Sequence, residues 1–136
     1  MAITKQKGDI AEAFVTFLLK EKGFNVLVPW GEDVRYDLVS EKNGIFKRIQ
    51  VKYVTPKNGV ISVFMRSANN HKTLYYSKDQ ADIIAAYSPT QNDVYFIPID
   101  STKKVWKLRL RPTKNKQTKN VVLATKYRQR FSLLEK

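Results

Sequence analysis

Cysteine is absent from this 136-residue sequence, and histidine occurs once, at His71. Without thiols there is no thiolate nucleophile, no zinc finger and no disulfide, a composition that suits a reducing cytosol. A lone histidine removes histidine-based metal clusters as well. No apolar run approaches the ~20 residues that span a bilayer. The opening Met-Ala-Ile-Thr-Lys-Gln-Lys-Gly-Asp-Ile has no apolar signal-peptide core. The expectation is a soluble, cytoplasmic protein with access to the nucleoid and no membrane partner.

Acids are scarce too, and the scarcity is local. From Lys103 onward there are twelve Lys or Arg against one acid, Glu135, a net of +11, which leaves +2 of the total +13 for residues 1–102. A cytosolic chain with that asymmetry most often meets nucleic acid. A membrane surface is the weaker alternative, because these cations fall on a strand-like alternation and in a loop, not on an amphipathic helix. The length predicts one domain, residues 1–136, able to bury a core without staples. Its basic portion, residues 103–136, is expected to bind DNA.

Tyr36 to Val54 organises the rest. Asn43-Gly44 suits a two-residue type I′ turn, whose central residues both need positive φ. A tight turn sets Lys42 against Ile45 and Asp37 opposite Gln50, with Lys52 two residues on and on the same face. Opposed side chains lie about 5 Å apart at Cβ, so Asp37, Gln50 and Lys52 are expected to cluster. Tyr36, Leu38, Ile49, Val51 and Tyr53 read as the core-facing side. The polar cluster is equally what the wet face of a half-buried sheet looks like.

Thr4 to Lys22 reads as a helix, with Thr4 as N-cap, Gly23 as stop, and Ile10, Phe14, Phe17 and Leu18 as its buried stripe. Glu12 stands at the margin of that stripe, one turn after Gly8, which leaves room beside its carboxylate. A boundary glutamate with a packed stem and a wet head fits the same spacing. Phe24 to Val28 reads as a short strand, and Trp30 to Asp33 as a loop. Asn58-Gly59 repeats the turn signal ahead of a third antiparallel strand, Val60 to Met65. Arg66 to Lys78 is polar and turn-like. Ala81 to Tyr87 and Asp93 to Ile99 read as strands buried on both faces, with Asp82 costly unless it sits at a strand end or has a partner. Val105 to Arg111 alternates Trp106, Leu108 and Leu110 with Lys107, Arg109 and Arg111. Thr113 to Asn120 is a basic loop, and Val121 to Leu134 a last short element anchored by Tyr127, Phe131 and Leu134.

A helix carboxylate, an Asp on one strand and Gln-x-Lys on the next, in a basic chain, suggest phosphodiester hydrolysis assisted by a hard cation. Magnesium takes oxygen ligands, commonly one or two carboxylates plus substrate phosphate. Asp37, the Gln50 amide oxygen, the Val51 carbonyl and Glu12 are the candidate ligands for Mg2+ (or Mn2+). Lys52 is placed to orient the attacking water and stabilise charge in the transition state. Candidate DNA contacts are Lys5, Arg35, Lys57, Arg66, His71, Lys72, Lys107, Arg109, Arg111, Lys114, Lys116 and Lys119.

Gly8-x-x-x-Glu12, Arg-Tyr-Asp37-Leu-Val and Ile-Gln50-Val-Lys52 resemble the PD-(D/E)XK nuclease superfamily. So do Asp82-Ile-Ile-Ala-Ala-Tyr and Val94-Tyr-Phe-Ile-Pro98-Ile, so that the resemblance covers most of residues 4–100. The branch most similar is that of homing endonucleases encoded in cyanobacterial group I introns. The resemblance implies an α/β, restriction-endonuclease-like mixed sheet with an N-terminal helix, a central antiparallel hairpin meander and flanking helices. It also implies a catalytic set of Glu12, Asp37, Gln50 and Lys52, and a sequence-specific double-stranded DNA endonuclease acting as a dimer or tetramer. Tyr36 stands where the motif has proline, and Gln50 where it has Asp or Glu. The homing branch is similar in using Gln there. A Holliday-junction resolvase and a non-catalytic nucleic-acid-binding module are the alternatives.

Overall fold

The computed structural model describes residues 4–69, 72–100, 102–116, 119 and 121–136, and only the backbone of 67–69 and 72–74. Helix α1 runs Thr4–Glu21. Its end is set by Gly23 at φ +87°. The Gly23 N–H bonds the Lys20 carbonyl and the Phe24 N–H the Leu19 carbonyl, a Schellman arrangement in which buried Phe24 joins the core that holds Leu19. Thr4, expected as the N-cap, is the first described residue and already lies in the helix.

Five strands form the main sheet, in the order β1 (Asn25–Leu27), β2 (Leu38–Lys42), β3 (Ile45–Tyr53), β7 (Ile83–Ser88) and β8 (Asp93–Pro98). The β3–β7 pairing is parallel and the others are antiparallel. The expected turn closes β2 on β3, with Asn43 at φ 54°, Gly44 at φ 82° and Lys42 paired to Ile45. Strands β7 and β8 are buried along nearly their whole length, as their apolar runs predict. The reason is that both faces of the sheet are covered. Against one lies α1, whose Ala11, Val15, Leu18 and Leu19 meet Leu38, Ile49, Val51 and Phe96. Against the other lies a three-stranded sheet, β10 (Val122–Leu123), β9 (Val105–Arg109) and β4 (Val60–Phe64), whose Ile61, Val63, Trp106 and Leu108 meet Ile84, Ala86, Tyr95 and Ile97.

Three readings need correction. The third hairpin strand exists, but β4 pairs antiparallel with β9 and leaves β3 to β7. Pro56 has no N–H to continue a ladder along β3, and Asn58 and Gly59, at φ 54° and 75°, turn the chain into the second layer. The helix stripe is rotated: Ala11, Val15, Leu18 and Leu19 are buried, Phe14 packs at the margin against Tyr87, and Ile10 and Phe17 are 45% and 60% exposed. The polar run after Met65 is no loop but a two-stranded ribbon, β5 (Arg66–Asn69) with β6 (Lys72–Tyr75).

β8 is an edge strand, but its edge is not bare. The Phe96 N–H bonds the Tyr127 carbonyl and the Gln129 N–H the Val94 carbonyl, so the C-terminal segment covers it. Two 3-10 turns, Ala124–Lys126 and Phe131–Leu134, complete the helical elements there. Tyr127, Phe131 and Leu134 anchor it as expected, with Phe131 stacked on Phe24 and tilted against Phe96.

Candidate active site

The β2–β3 ladder stops at Leu38 opposite Ile49, one residue short of Asp37. There the strands part. The Asp37 N–H bonds the Ile49 carbonyl at 2.8 Å, and the Asp37 carboxylate accepts the Val51 N–H at 2.8 Å. The side chain thus takes over an acceptor role that the departing backbone gives up, and Asp37 is tied to β3 twice. Tyr36, beyond the ladder, packs against the second-sheet core instead of the helix side, contrary to the alternation expected of it. Gln50 and Lys52 pair with Ile84 and Ala86 of β7, which face the second sheet, so all four share that side of the main sheet. Both side chains are half-buried at its margin.

Glu12 comes to this corner from α1 and is also half-buried. Burial pushes its carboxyl above the ordinary value, and the Asp37 and Asp9 carboxylates push it further. Burial likewise raises Asp37, against the downward pull of the Val51 N–H and the Lys52 ammonium. Gly8 leaves open space: a Cβ there would meet nothing within 4 Å.

Among the described residues no Lys or Arg forms an ion pair with Glu12 or Asp37. Nor do three acid or histidine side chains converge to make a self-sufficient metal cage. Two part-buried carboxylates, with Asp37 raising the proton affinity of Glu12, and Gln50 on the Lys52 side of the main sheet offer an all-oxygen donor set. Such a set fits a hard divalent cation that keeps several waters and shares ligands with a phosphate.

The Lys52 ammonium donates to the Arg66 carbonyl at 2.9 Å and lies over the Tyr76 ring, 5.3 Å from its centroid. Burial lowers its pKa; Asp37 opposes this, while Arg35 and Arg66 add to it. A cavity of about 300 Å3 opens beside Lys52, lined by Tyr53, Val54, Thr55, Ser62 and Phe64. Ser62 pairs with Lys107 and Val60 with Arg109, so the wall of this cavity continues into the basic face of β9.

Of the candidate DNA contacts, Lys5, Lys57, Arg66, Lys107, Arg111, Lys114, Lys116 and Lys119 are exposed, and Arg109 is half-buried with its Nε on the Arg111 carbonyl. Arg35 does not project outward. Its guanidinium is half-buried, donates to the Tyr75 carbonyl and Gln80 Oε1, and stacks 4.2 Å from the Tyr76 ring centroid. His71 and the side chain of Lys72 lie outside the described residues. Tyr76, the Arg66 carbonyl and Asp9 belong to this corner but were not assigned to it from sequence. No local pattern carries that placement, because Asp9 comes from α1 and Arg66 and Tyr76 from either side of the β5–β6 ribbon's chain, far in sequence from Asp37.

The sequence profile of the PD-(D/E)XK endonucleases matches residues 2–130, and the chain belongs to that family. Its fold is similar to that of the bacterial homing endonuclease I-Ssp6803I, with TM-score 0.76 and 29% identity over 97% of this chain and 93% of that one. The Holliday junction resolvase Hjc of Archaeoglobus fulgidus shares the fold more distantly, with TM-score 0.50 and 18% identity over 76% of this chain and 84% of that one. Among curated protein sequences none matches the chain.

Proposed function

We propose that this nuclease is a divalent-metal-dependent endonuclease that cuts double-stranded DNA at a defined sequence, in the manner of an intron homing enzyme. The observation that supports the reading is that Glu12 and Lys52 both act electrostatically with Asp37, while neither carboxylate has an ion-pair partner among the described residues. The similarity to a homing endonuclease along nearly the full length of both chains supports the biological role.

Asp37 and Glu12, with the Gln50 amide oxygen and the Val51 carbonyl, would hold Mg2+ or Mn2+. Such an ion supplies Lewis-acid polarisation of the scissile phosphate and a water acidified for attack. The chain's own part is orientation and charge. The Val51 N–H fixes the Asp37 carboxylate, and the part-buried Lys52 ammonium stabilises negative charge on the transferring phosphate in a site of reduced dielectric. The exposed cations of β9 and the loop after it, with residues 103–136 as the DNA-binding part of one nuclease domain, neutralise flanking phosphates. One such site cuts one strand. The protein therefore acts in the cytoplasm as a homodimer or homotetramer on a pseudo-palindromic target.

The test is purified protein on a pool of duplex targets, in magnesium and in chelator, beside Lys52→Ala. Magnesium-dependent cuts at one sequence, lost in the variant, are expected. Binding without cutting would point to a binding module, and cutting confined to added four-way junctions to a resolvase. Neutralising Arg109 and Arg111 together should lower the slope of log affinity against log salt by about one to two, as roughly 0.9 is lost per phosphate contact.

A further inference from the structure

Two cations approach the Tyr76 ring, the Arg35 guanidinium carbon 4.2 Å and the Lys52 ammonium 5.3 Å from its centroid. Both distances fall within the range where the negative face of an aromatic ring attracts a cation. Tyr76 is only 4% exposed, so its ring is not free to stack on a base or to act as a surface contact. It is fixed from three directions. Its N–H bonds the Met65 carbonyl at 2.8 Å, the ring sits in the core with Met65, Ala81 and Ile84, and Arg35 is held on Tyr76 by the Tyr75 carbonyl and Gln80 Oε1. Gln80 is oriented in turn by the Ser77 N–H.

Lys52 has no comparable fixing of its own. A lysine ammonium is a point charge on a flexible four-carbon stem, and here no carboxylate pairs with it among the described residues. Its two partners are the Arg66 carbonyl and the Tyr76 ring, both at the open end of the β5–β6 ribbon, where Arg66 pairs with Tyr75.

We propose that Tyr76 is a positioning residue for Lys52: its ring, held in place by Arg35, and the Arg66 carbonyl form a seat that keeps the Lys52 ammonium at the metal corner. The catalytic consequence rests on the nuclease reading of that corner; the seat itself does not. The open end of the ribbon is then part of the active site, because the first residue of β5 and the residue after β6 supply the two halves of the seat. The hydroxyl of Tyr76 is not needed, so Tyr76→Phe keeps the seat and Tyr76→Leu, similar in bulk, removes it.

The experiment has two readouts. In the metal-free, DNA-free protein, the Lys52 ε-methylene protons should resonate upfield of those of the exposed lysines, because the ammonium they adjoin lies over the Tyr76 ring. That shift should persist in Tyr76→Phe and vanish in Tyr76→Leu. In cleavage assays Tyr76→Leu should lose roughly tenfold or more in kcat with KM little changed, as expected for a misplaced catalytic group, while Tyr76→Phe stays near the wild type. An unshifted Lys52 in the wild type overturns the proposal, whether or not the leucine variant folds. A folded Tyr76→Leu with undiminished kcat, or a Tyr76→Phe as impaired as the leucine variant, overturns it too. If the wild type shows the shift but cuts no DNA in magnesium, the endonuclease reading fails and takes the catalytic role of the seat with it, while the seat stands.

Discussion

Two aspartates flank strand β3 and begin in the same way. Asp37 stands just before β2 and accepts the Val51 N–H; Asp82 stands just before β7 and accepts the Arg48 N–H, each at 2.8 Å. There the likeness ends. Asp82 also takes the Arg48 guanidinium as a fork, Nε on one oxygen and Nη2 on the other, both at 3.1 Å. The remaining guanidinium capacity goes to the Asp79 and Lys78 carbonyls. Burial acts to raise the Asp82 pKa, but Arg48 through its side chain, N–H and charge, with Lys47, holds it below the ordinary range. Asp37 has no such partner among the described residues, and its pKa is raised. The same local device, a carboxylate capping a β3 amide, therefore serves as a structural joint on one side and, on the other, leaves a carboxylate that Lys52 and the Val51 N–H only partly offset. A protein retains a half-buried, unpaired carboxylate at some cost to stability, and a cation supplied from outside is the natural reason to keep it.

If the contrast is real, the two positions separate under mutation. Asp37→Ala should lower cleavage by about 10²–10³-fold, the scale on which single electrostatic groups at active sites act, and leave binding in chelator largely intact. Asp82→Ala should leave kcat within a few-fold. Equal losses at both would erase the distinction. In denaturant melts the order reverses: Asp82→Ala should cost roughly 1–2 kcal/mol, since it strands the Arg48 amide and guanidinium in a pair that is only partly solvent-exposed, whereas metal-free Asp37→Asn should not destabilise at all.

Acidity separates them by sign. The Asp82 carboxyl, held below its ordinary 3.8, contributes stability that is present above that value and lost as pH falls through its lower native value. Asp37 is raised above 3.8, so the unfolded chain ionises first, and stability declines as pH rises from 3.8 through the higher native value. Thermal melts in chelator across this range should show Asp82→Asn flattening the acid-side loss and Asp37→Asn removing the decline above it. Two curves displaced in the same direction would contradict the pairing described here. The smallest effect concerns the third carboxylate. Gly8→Ala should stabilise α1 by about 0.5–1 kcal/mol, because a Cβ meets nothing there, and reduced cleavage in that stabilised variant would mean the open space beside Glu12 is used.

The hairpin was legible because a two-residue turn fixes register by chemistry alone: Asn43-Gly44 admits positive φ at both positions, and every partner back to Leu38 and Ile49 follows. The buried strands β7 and β8 were legible from their apolar runs, and the rest of the chain less so. Helix rotation went astray because Ile10 and Phe17 are apolar but α1 packs on only one side, and burial by partners, not hydrophobicity, chooses the stripe. The β5–β6 ribbon was invisible because its strands carry no alternation to read.

What the amino-acid order determined by itself is therefore local: turn chemistry, the Schellman end of α1, the Gln-x-Lys spacing, and the concentration of positive charge after Lys103. The rest was decided by tertiary structure. It parted β2 from β3 at Asp37, gave Asp82 its arginine, gave Asp37 no ion-pair partner among the described residues, sent β4 to β9, and brought Tyr76 and the Arg66 carbonyl to Lys52. These are contacts between segments distant in the chain. Which of two similar carboxylates is neutralised depends on what the fold sets beside it, and short-range spacing carries no record of that.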